Sequence, residues 1–189
     1  MKPSLLLISG WAFPPAAWEP VVRRLQSSWP VRVIGADTVL AVGTPKQDPS
    51  VVIGRIRSHL PATRPCFLGG WSLGGMLALQ AAPGLTDDIS GVLLISTTPR
   101  FCQDDAQDGG VPQATVRAMT VGLRNEPERT LERFYVSSAA PDDPDPDEMA
   151  GWIRASLDHP QGLDAGRQYR RHTDLRPDMS CGGLPAVLM

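Results

Sequence analysis

Over its first hundred residues the chain alternates short apolar runs with helical stripes. Leu5 to Ser9 is a continuous apolar run, as a strand buried on both faces requires. Pro15 to Ser28 follows with Trp18, Val21, Val22 and Leu25 at helical spacing. Val31 to Ile34 predicts a second strand, ending at Gly35-Ala36-Asp37. Pro49 to Leu60 predicts a helix with Val52, Ile53, Ile56 and Leu60 on one stripe. Cys66 to Gly69 predicts a third strand, Met76 to Ala82 lies in a helix after it, and Val92 to Ile95 predicts a fourth strand. Strand–helix–strand alternation implies a parallel sheet with right-handed crossovers, and such sheets bind ligands at the carboxyl ends of their strands. That edge is expected to hold Gly10-Trp11, Asp37, Ser72 and Ser96-Thr97-Thr98.

The pattern changes after Pro99. From Phe101 to about Met179 no run suits a buried parallel strand. Four helices are expected instead, over Pro112–Leu123, Glu126–Ser138, Pro146–Leu157 and about Gly162–His172. They read as a helical cap above the sheet edge. The acidic, proline-rich stretch Asp142 to Glu148 reads as a solvated loop whose last acids begin a helix. Leu184 to Met189 then reads as a return to the sheet. The expected organisation is an α/β core over 1–100, a helical cap over 101–180 and a fifth strand within 181–189. An end inside an apolar run is what a chain cut short would show, because natural termini are usually exposed and polar. An unpaired apolar edge there would favour association.

The sharpest chemical signal is Gly70-Trp71-Ser72-Leu73-Gly74-Gly75, lying between the third strand and its helix. A serine flanked by glycines at a strand-to-helix turn is the layout of a nucleophile elbow. Glycine is needed because the backbone turns sharply and strand and helix approach too closely for a Cβ. Ser72 would then stand at the carboxyl edge of the sheet, with the Leu73 N–H at the helix start aimed at its substrate. Without the flanking strand and helix, the same pattern would be a plain structural turn.

Composition narrows the class further. The 189 residues are 42% hydrophobic and 20% charged, as in an ordinary globular protein long enough to bury a core without disulfides. A net charge of −2 and the lack of a basic run give no reason to expect nucleic acid. No run reaches the ~18 apolar residues of a membrane span, so no membrane partner is expected. The apolar start is too short for a signal peptide. Cys66, Cys102 and Cys181 are odd in number, widely spaced and lack metal-ligand spacing, as expected of reduced thiols in a cytoplasmic protein.

Three stretches together carry a family likeness. Gly70 to Gly75, the opening Leu5 to Trp11, and Arg129-Thr130-Leu131-Glu132-Arg133-Phe134 resemble the pimeloyl-acyl-carrier-protein methyl ester esterases of biotin synthesis, members of the α/β-hydrolase superfamily. The likeness includes Ser96 to Phe101 at the cap entrance and Thr173 to Arg176 at its exit. The resemblance implies Ser72 as nucleophile and the N–H groups of Trp11 and Leu73 as the oxyanion hole. It implies Trp11 and Trp71 as acyl-pocket lining, and Phe134, Tyr135, Val136, Ser137 and Ser138 as the cap wall facing the acyl chain. Arg129 and Arg133 would meet an acyl carrier protein. They are four apart and share a helix face, although such a pair is also the ordinary makeup of a solvated surface. The implied substrate is a small acyl ester, and the chemistry needs neither metal nor organic cofactor.

The chain departs from that pattern in four ways. Ser9-Gly10 stands where family members commonly have His-Gly, which leaves the backbone donor intact. The region after Ser138 is acidic rather than arginine-rich. The chain opens at a central strand, without a leading hairpin. The family's triad acid and histidine follow strands beyond Met189. Within the chain, His59 is expected on a peripheral helix, His159 in a cap turn, His172 at the cap exit and Asp37 in a turn, so no base is nominated. Three readings stay open: a serine carboxylesterase, another hydrolase of the same fold (thioesterase, lactonase or C–C hydrolase), and a non-catalytic acyl-binding remnant.

Overall fold

The computed structural model describes residues 2–44, 46–104, 109–179 and 181–189. Five strands form one parallel sheet: β1 (Ser4–Ile8), β2 (Val31–Ile34), β3 (Cys66–Trp71), β4 (Gly91–Ile95) and β5 (Ala186–Leu188), in the spatial order β2-β1-β3-β4-β5. All five residues of β1 are buried, which explains its unbroken apolar character. In register, Ile8 lies beside Ile34 on one side and Gly70 on the other. The chain steps from β1 outward to β2, then crosses to the opposite side of β1 for β3. The crevice at the carboxyl ends of β1 and β3 is therefore the topological switch point.

Period-two alternation splits β1 between two cores. Leu5 and Leu7 pack with Trp18 and, more loosely, Val22 and Leu25 of α1 (Glu19–Leu25). Leu6 and Ile8 face the main core, which includes Val52 and Ile56 of α3 (Pro49–His59) and nearly all of α4 (Leu73–Ala81). The amino end of α3 is held by Asp48, whose carboxylate accepts from Ser50 N at 2.8 Å, with Pro49 in the first turn. The helix expected over Pro15 to Ser28 is split: a 3-10 turn, Pro15–Trp18, precedes α1. The turn expected after β2 is a four-residue helix, α2 (Ala36–Val39).

Four helices separate β4 from β5: α5 (Gln113–Asn125), α6 (Pro127–Ala139), α7 (Pro146–Asp158) and α8 (Pro160–His172). Each packs on the next, and α8 also meets α5 and α2. Their apolar stripes bring Leu131, Tyr135, Leu163, Ala165 and Tyr169 into the main core. The acidic stretch ends as expected, with Asp145 accepting from the N–H groups of Asp147 and Glu148 to cap α7. An ion-pair network ties the two ends of the helical segment together: Arg100 pairs with Asp104 and Asp174, and Arg176 pairs with the same two carboxylates.

The last strand forms the exposed apolar edge expected there. β5 pairs with β4 and lies at the sheet edge with all three residues exposed. Its apolar residues do not join the core because no helix covers that edge among the described residues. Among those residues no helix is long and apolar enough to cross a membrane.

Candidate active site

The turn between β3 and α4 has the geometry its glycines demand. Ser72 adopts φ 53°, ψ −115°, a backbone that side-chain-bearing residues rarely take. Its N–H donates to Ile95 O at 2.9 Å and its C=O accepts from Met76 N at 3.0 Å, so the backbone is anchored to β4 and to α4. A Cβ on Gly70 would overlap the Gly74 carbonyl and the Gly75 nitrogen. A Cβ on Gly74 would press into the end of β1, 2.6 Å from Ile8 C and 2.7 Å from Ser9 O. Glycine is thus required on both sides of the serine by close approach, and Ser72 is left half-buried at the rim of the sheet.

The Ser72 hydroxyl makes no hydrogen bond among the described residues. Neither the Trp11 N–H nor the Leu73 N–H has an acceptor among them. Leu73 is the first residue of α4, where an intrahelical acceptor does not exist and the helix end carries partial positive charge. The two residues lie together. A Cβ on Gly166 of α8 would stand 2.6 Å from Trp11 Cδ1 and 2.9 Å from Leu73 Cδ2, so α8 lies across both side chains. A Cβ on Gly10 would be 3.6 Å from Ser72 Cβ, which puts the β1 turn against the serine.

A cleft of about 410 Å³ opens beside this point. Gly10, Trp11 and Leu73 line it together with the apolar Phe13, Ala155 and Leu163, and Asp37, Thr38 and His159 bring polar side chains to it. Asp37 is exposed on α2 and His159 is exposed at the α7–α8 junction. Sequence reasoning assigned Asp37 and His159 to turns and did not single out Phe13, Thr38 or Ser156. No local signal could have linked them, because they converge only when α7 and α8 settle over β1 and β2.

Of the residues expected at the acyl pocket, four come together. Trp11, Trp71, Phe134 and Tyr135 join Phe13 and Trp152 in an aromatic cluster between the sheet rim and the helical segment. Trp11 meets Phe134 edge-on at 4.8 Å, and Phe13 lies 4.4 Å from Trp71 and 5.0 Å from Tyr135. Val136, Ser137 and Ser138 do not share that position. All three are exposed, and Ser138 Oγ donates back to Phe134 O at 2.8 Å. Five consecutive helical residues turn through more than a full circle and cannot present one wall. Val136 and Ser137 instead border a shallow surface depression with Arg129, Glu132 and Arg133. Arg129 and Arg133 are exposed there, and Arg129 pairs with Glu126 at 3.4 Å.

The histidines are dispersed. Nδ1 of His59 lies 2.8 Å from Arg55 O on α3, His172 is exposed at the end of α8, and none of the three is bonded to Ser72. Among the described residues no group of three His, Cys, Asp or Glu side chains is placed to hold a metal.

One charged group is unusual. The Arg170 guanidinium is buried between the rings of Trp11 and Phe101, 4.4 Å from each centroid, and its Nε has no acceptor. Burial lowers its pKa from the ordinary arginine value. Nearby, burial pushes the Cys102 thiol up despite the adjacent guanidinium.

A parallel sheet with a glycine-flanked, positive-φ serine between a central strand and its helix, and a helical segment over the strand ends, is the α/β-hydrolase fold. Solved structures agree. A hydrolase from Oleispira antarctica superposes with a TM-score of 0.75 over 100% of this chain and 72% of its own, at 15% identity. An esterase from Exiguobacterium antarcticum does so at 0.74 over 98% and 72%, at 20% identity.

In sequence the chain is related to the pimeloyl-[acyl-carrier protein] methyl ester esterases. It is 28% identical to that of Aliivibrio salmonicida over 192 residues, covering 98% of this chain and 72% of the relative. It is 35% identical to that of Stenotrophomonas maltophilia (strain K279a) over 135 residues, covering 70% and 50%. No family profile matches the chain. The sequence relatives it matches are thus named as methyl ester esterases, and the solved structures share its α/β-hydrolase fold.

Proposed function

We propose that the chain is a serine carboxylesterase that hydrolyses the methyl ester of a pimeloyl-type acyl group carried by an acyl carrier protein, as a step of biotin synthesis. The observation that carries this reading is the placement of Ser72. It stands on a positive-φ turn at the switch point, with two acceptorless amides and a cleft beside it. The Ser72 hydroxyl would attack the ester carbonyl, and the resulting oxyanion would be met by the N–H groups of Trp11 and Leu73. Such donors stabilise the charge because they are held in place before it forms, typically by ~3 kcal/mol each. Methanol would leave, and water would release the acid from the acyl-serine.

The cleft between β1, α2, α7 and α8 would take the substrate chain, with Trp11, Trp71, Phe134 and Tyr135 as its aromatic flank. Arg129 and Arg133 would face the acidic surface of the carrier protein. Their reach is tempered by Glu126 and Glu132, which share that face.

A fluorophosphonate probe tests the nucleophile. One adduct per chain, on Ser72, is expected, and Ser72→Ala should abolish it. Labelling that survives Ser72→Ala, or none in the parent, removes the reading. Because no imidazole is bonded to Ser72, labelling is expected to be slow. Loss of the base of a catalytic triad typically costs ~10⁴ to 10⁶ in turnover. A second reading is a non-catalytic acyl-binding protein. It would bind the acyl ester reversibly and leave Ser72 unlabelled.

A further inference from the structure

We infer that Tyr135 and Ser156 are positioning residues. Their hydroxyls clamp the carbonyl of Ala12 and thereby hold the Trp11 amide in place, so the helical segment sets the geometry of the catalytic turn. The inference rests on the proposed role of the Trp11 N–H. It assigns Tyr135 a task other than facing the acyl chain.

The turn after β1 is unusual in its residue choice. Gly10 O accepts from Phe13 N at 3.3 Å, closing a four-residue turn. Ala12, its third residue, has φ 63°, and Trp11 is not among the positive-φ residues. This is the pattern of a type II turn, whose third position favours glycine. An alanine Cβ makes the left-handed backbone unfavourable, so something outside the turn must hold it.

The holding contacts are all on one atom. Ala12 O accepts from the Tyr135 phenol of α6 and from Ser156 Oγ of α7, the latter at 2.8 Å. The two hydroxyls are 3.0 Å apart. Two protons serve three oxygen–oxygen contacts, so the second hydroxyl can donate either to the carbonyl or to the first hydroxyl, and the carbonyl never lacks a donor. Both side chains are buried, and burial pushes the Tyr135 phenol up to about 12, so it remains a donor at any working pH. The rings of Phe13 and Tyr135, 5.0 Å apart, reinforce the same junction. Trp11 is thereby fixed from two sides, since its own Nε1 donates to Leu163 O of α8 at 2.8 Å.

The test uses the full chain and two readouts. Hydrogen exchange at the Phe13 amide, which closes the turn, reports the clamp directly. The rate of phosphonylation of Ser72 reports the Trp11 amide, because the phosphonyl oxygen occupies the oxyanion position. In the Tyr135→Phe/Ser156→Ala variant, Phe13 exchange should quicken about tenfold beyond any change in global stability, as expected for lost hydrogen bonds to one carbonyl. Phosphonylation should slow by a similar factor while half-saturating probe concentration stays fixed.

Ser156→Thr, which keeps the hydroxyl, should restore both. Ala12→Gly should also shrink the effect of the double substitution, because glycine needs no clamp to hold φ 63°. A merely structural role for the hydroxyls would give the same loss with and without the Ala12→Gly substitution, and that result overturns the inference. Unchanged Phe13 exchange overturns it too. Faster exchange with unaltered phosphonylation disconnects the clamp from the chemistry and refutes the coupling. A parent chain that does not label at all refutes the Ser72 reading instead, and the exchange arm still decides the clamp.

Discussion

Gly74→Ala is the severest small change the site geometry allows. The new methyl carbon would stand 2.6 Å from Ile8 C and 2.7 Å from Ser9 O, both backbone atoms of the central strand or its end. Ordinary van der Waals contact begins at about 3.4 Å. Ile8 O is closer still, so the amino end of α4 would have to withdraw by more than about 1 Å. Neither neighbour is a flexible side chain that could move aside. Every residue of α4 except Gln80 is buried, so a shift of the helix disturbs its packing on β1, β3, β4 and α3. Overpacking of this kind costs typically ~3 kcal/mol. The better helix propensity of alanine returns up to about 1 kcal/mol.

The net loss is then about 2 kcal/mol, or roughly 4–8 °C in Tm for a chain of this size. Gly151→Ala is the matched control. Gly151 lies inside α7, exposed, and a Cβ there meets nothing within 4 Å. That substitution should raise Tm by about 2–4 °C through propensity alone. Thermal unfolding followed by circular dichroism reads both. If the two substitutions shift Tm in the same direction, the close approach of α4 to β1 does not exist and the elbow geometry is wrong.

Two further outcomes follow from charged groups. Hydrogen bonding and charge from Arg176, with Arg100 nearby, hold Asp174 at about 2, below its ordinary value, so its contribution to stability is full above pH 4 and fades as pH falls toward 2. Urea midpoints of the parent and Asp174→Asn should differ at pH 6 and the gap should shrink steadily as pH falls to 2, and a gap as large at pH 2 as at pH 6 contradicts this origin. Arg170 has no carboxylate partner among the described residues, so Arg170→Met should be neutral or stabilising by about 1 kcal/mol, since an apolar isostere escapes the desolvation cost. Arg170→Ala should lose about 2–3 kcal/mol by opening a void between Trp11 and Phe101. Equal losses for Met and Ala would show that the two ring contacts outweigh desolvation.

Much of this protein is local, and local features are legible in a chain. The four leading strands and the four helices of the 101–180 segment follow from hydrophobic period, because each element must bury one face or two. The elbow is equally local: Gly70, Ser72 and Gly74 are within five residues, and their types answer constraints that any strand-to-helix turn of this sharpness imposes. Boundaries moved by a few residues where capping and 3-10 turns decide them, as at Pro15–Trp18.

What lay beyond the sequence is whatever depends on how α6, α7 and α8 seat on the sheet. Nothing in the chain says that the hydroxyls of Tyr135 and Ser156 meet at Ala12 O, 123 and 144 residues away. Nor does it say that Asp37 and His159 border one cleft, or that Val136 to Ser138 turn outward. The sequence by itself determined the sheet, the helices and the strained serine, since these obey short-range sterics and burial. Only the tertiary structure decided what surrounds that serine, because side-chain contacts between distant elements depend on interhelical angles that no short stretch of chain encodes.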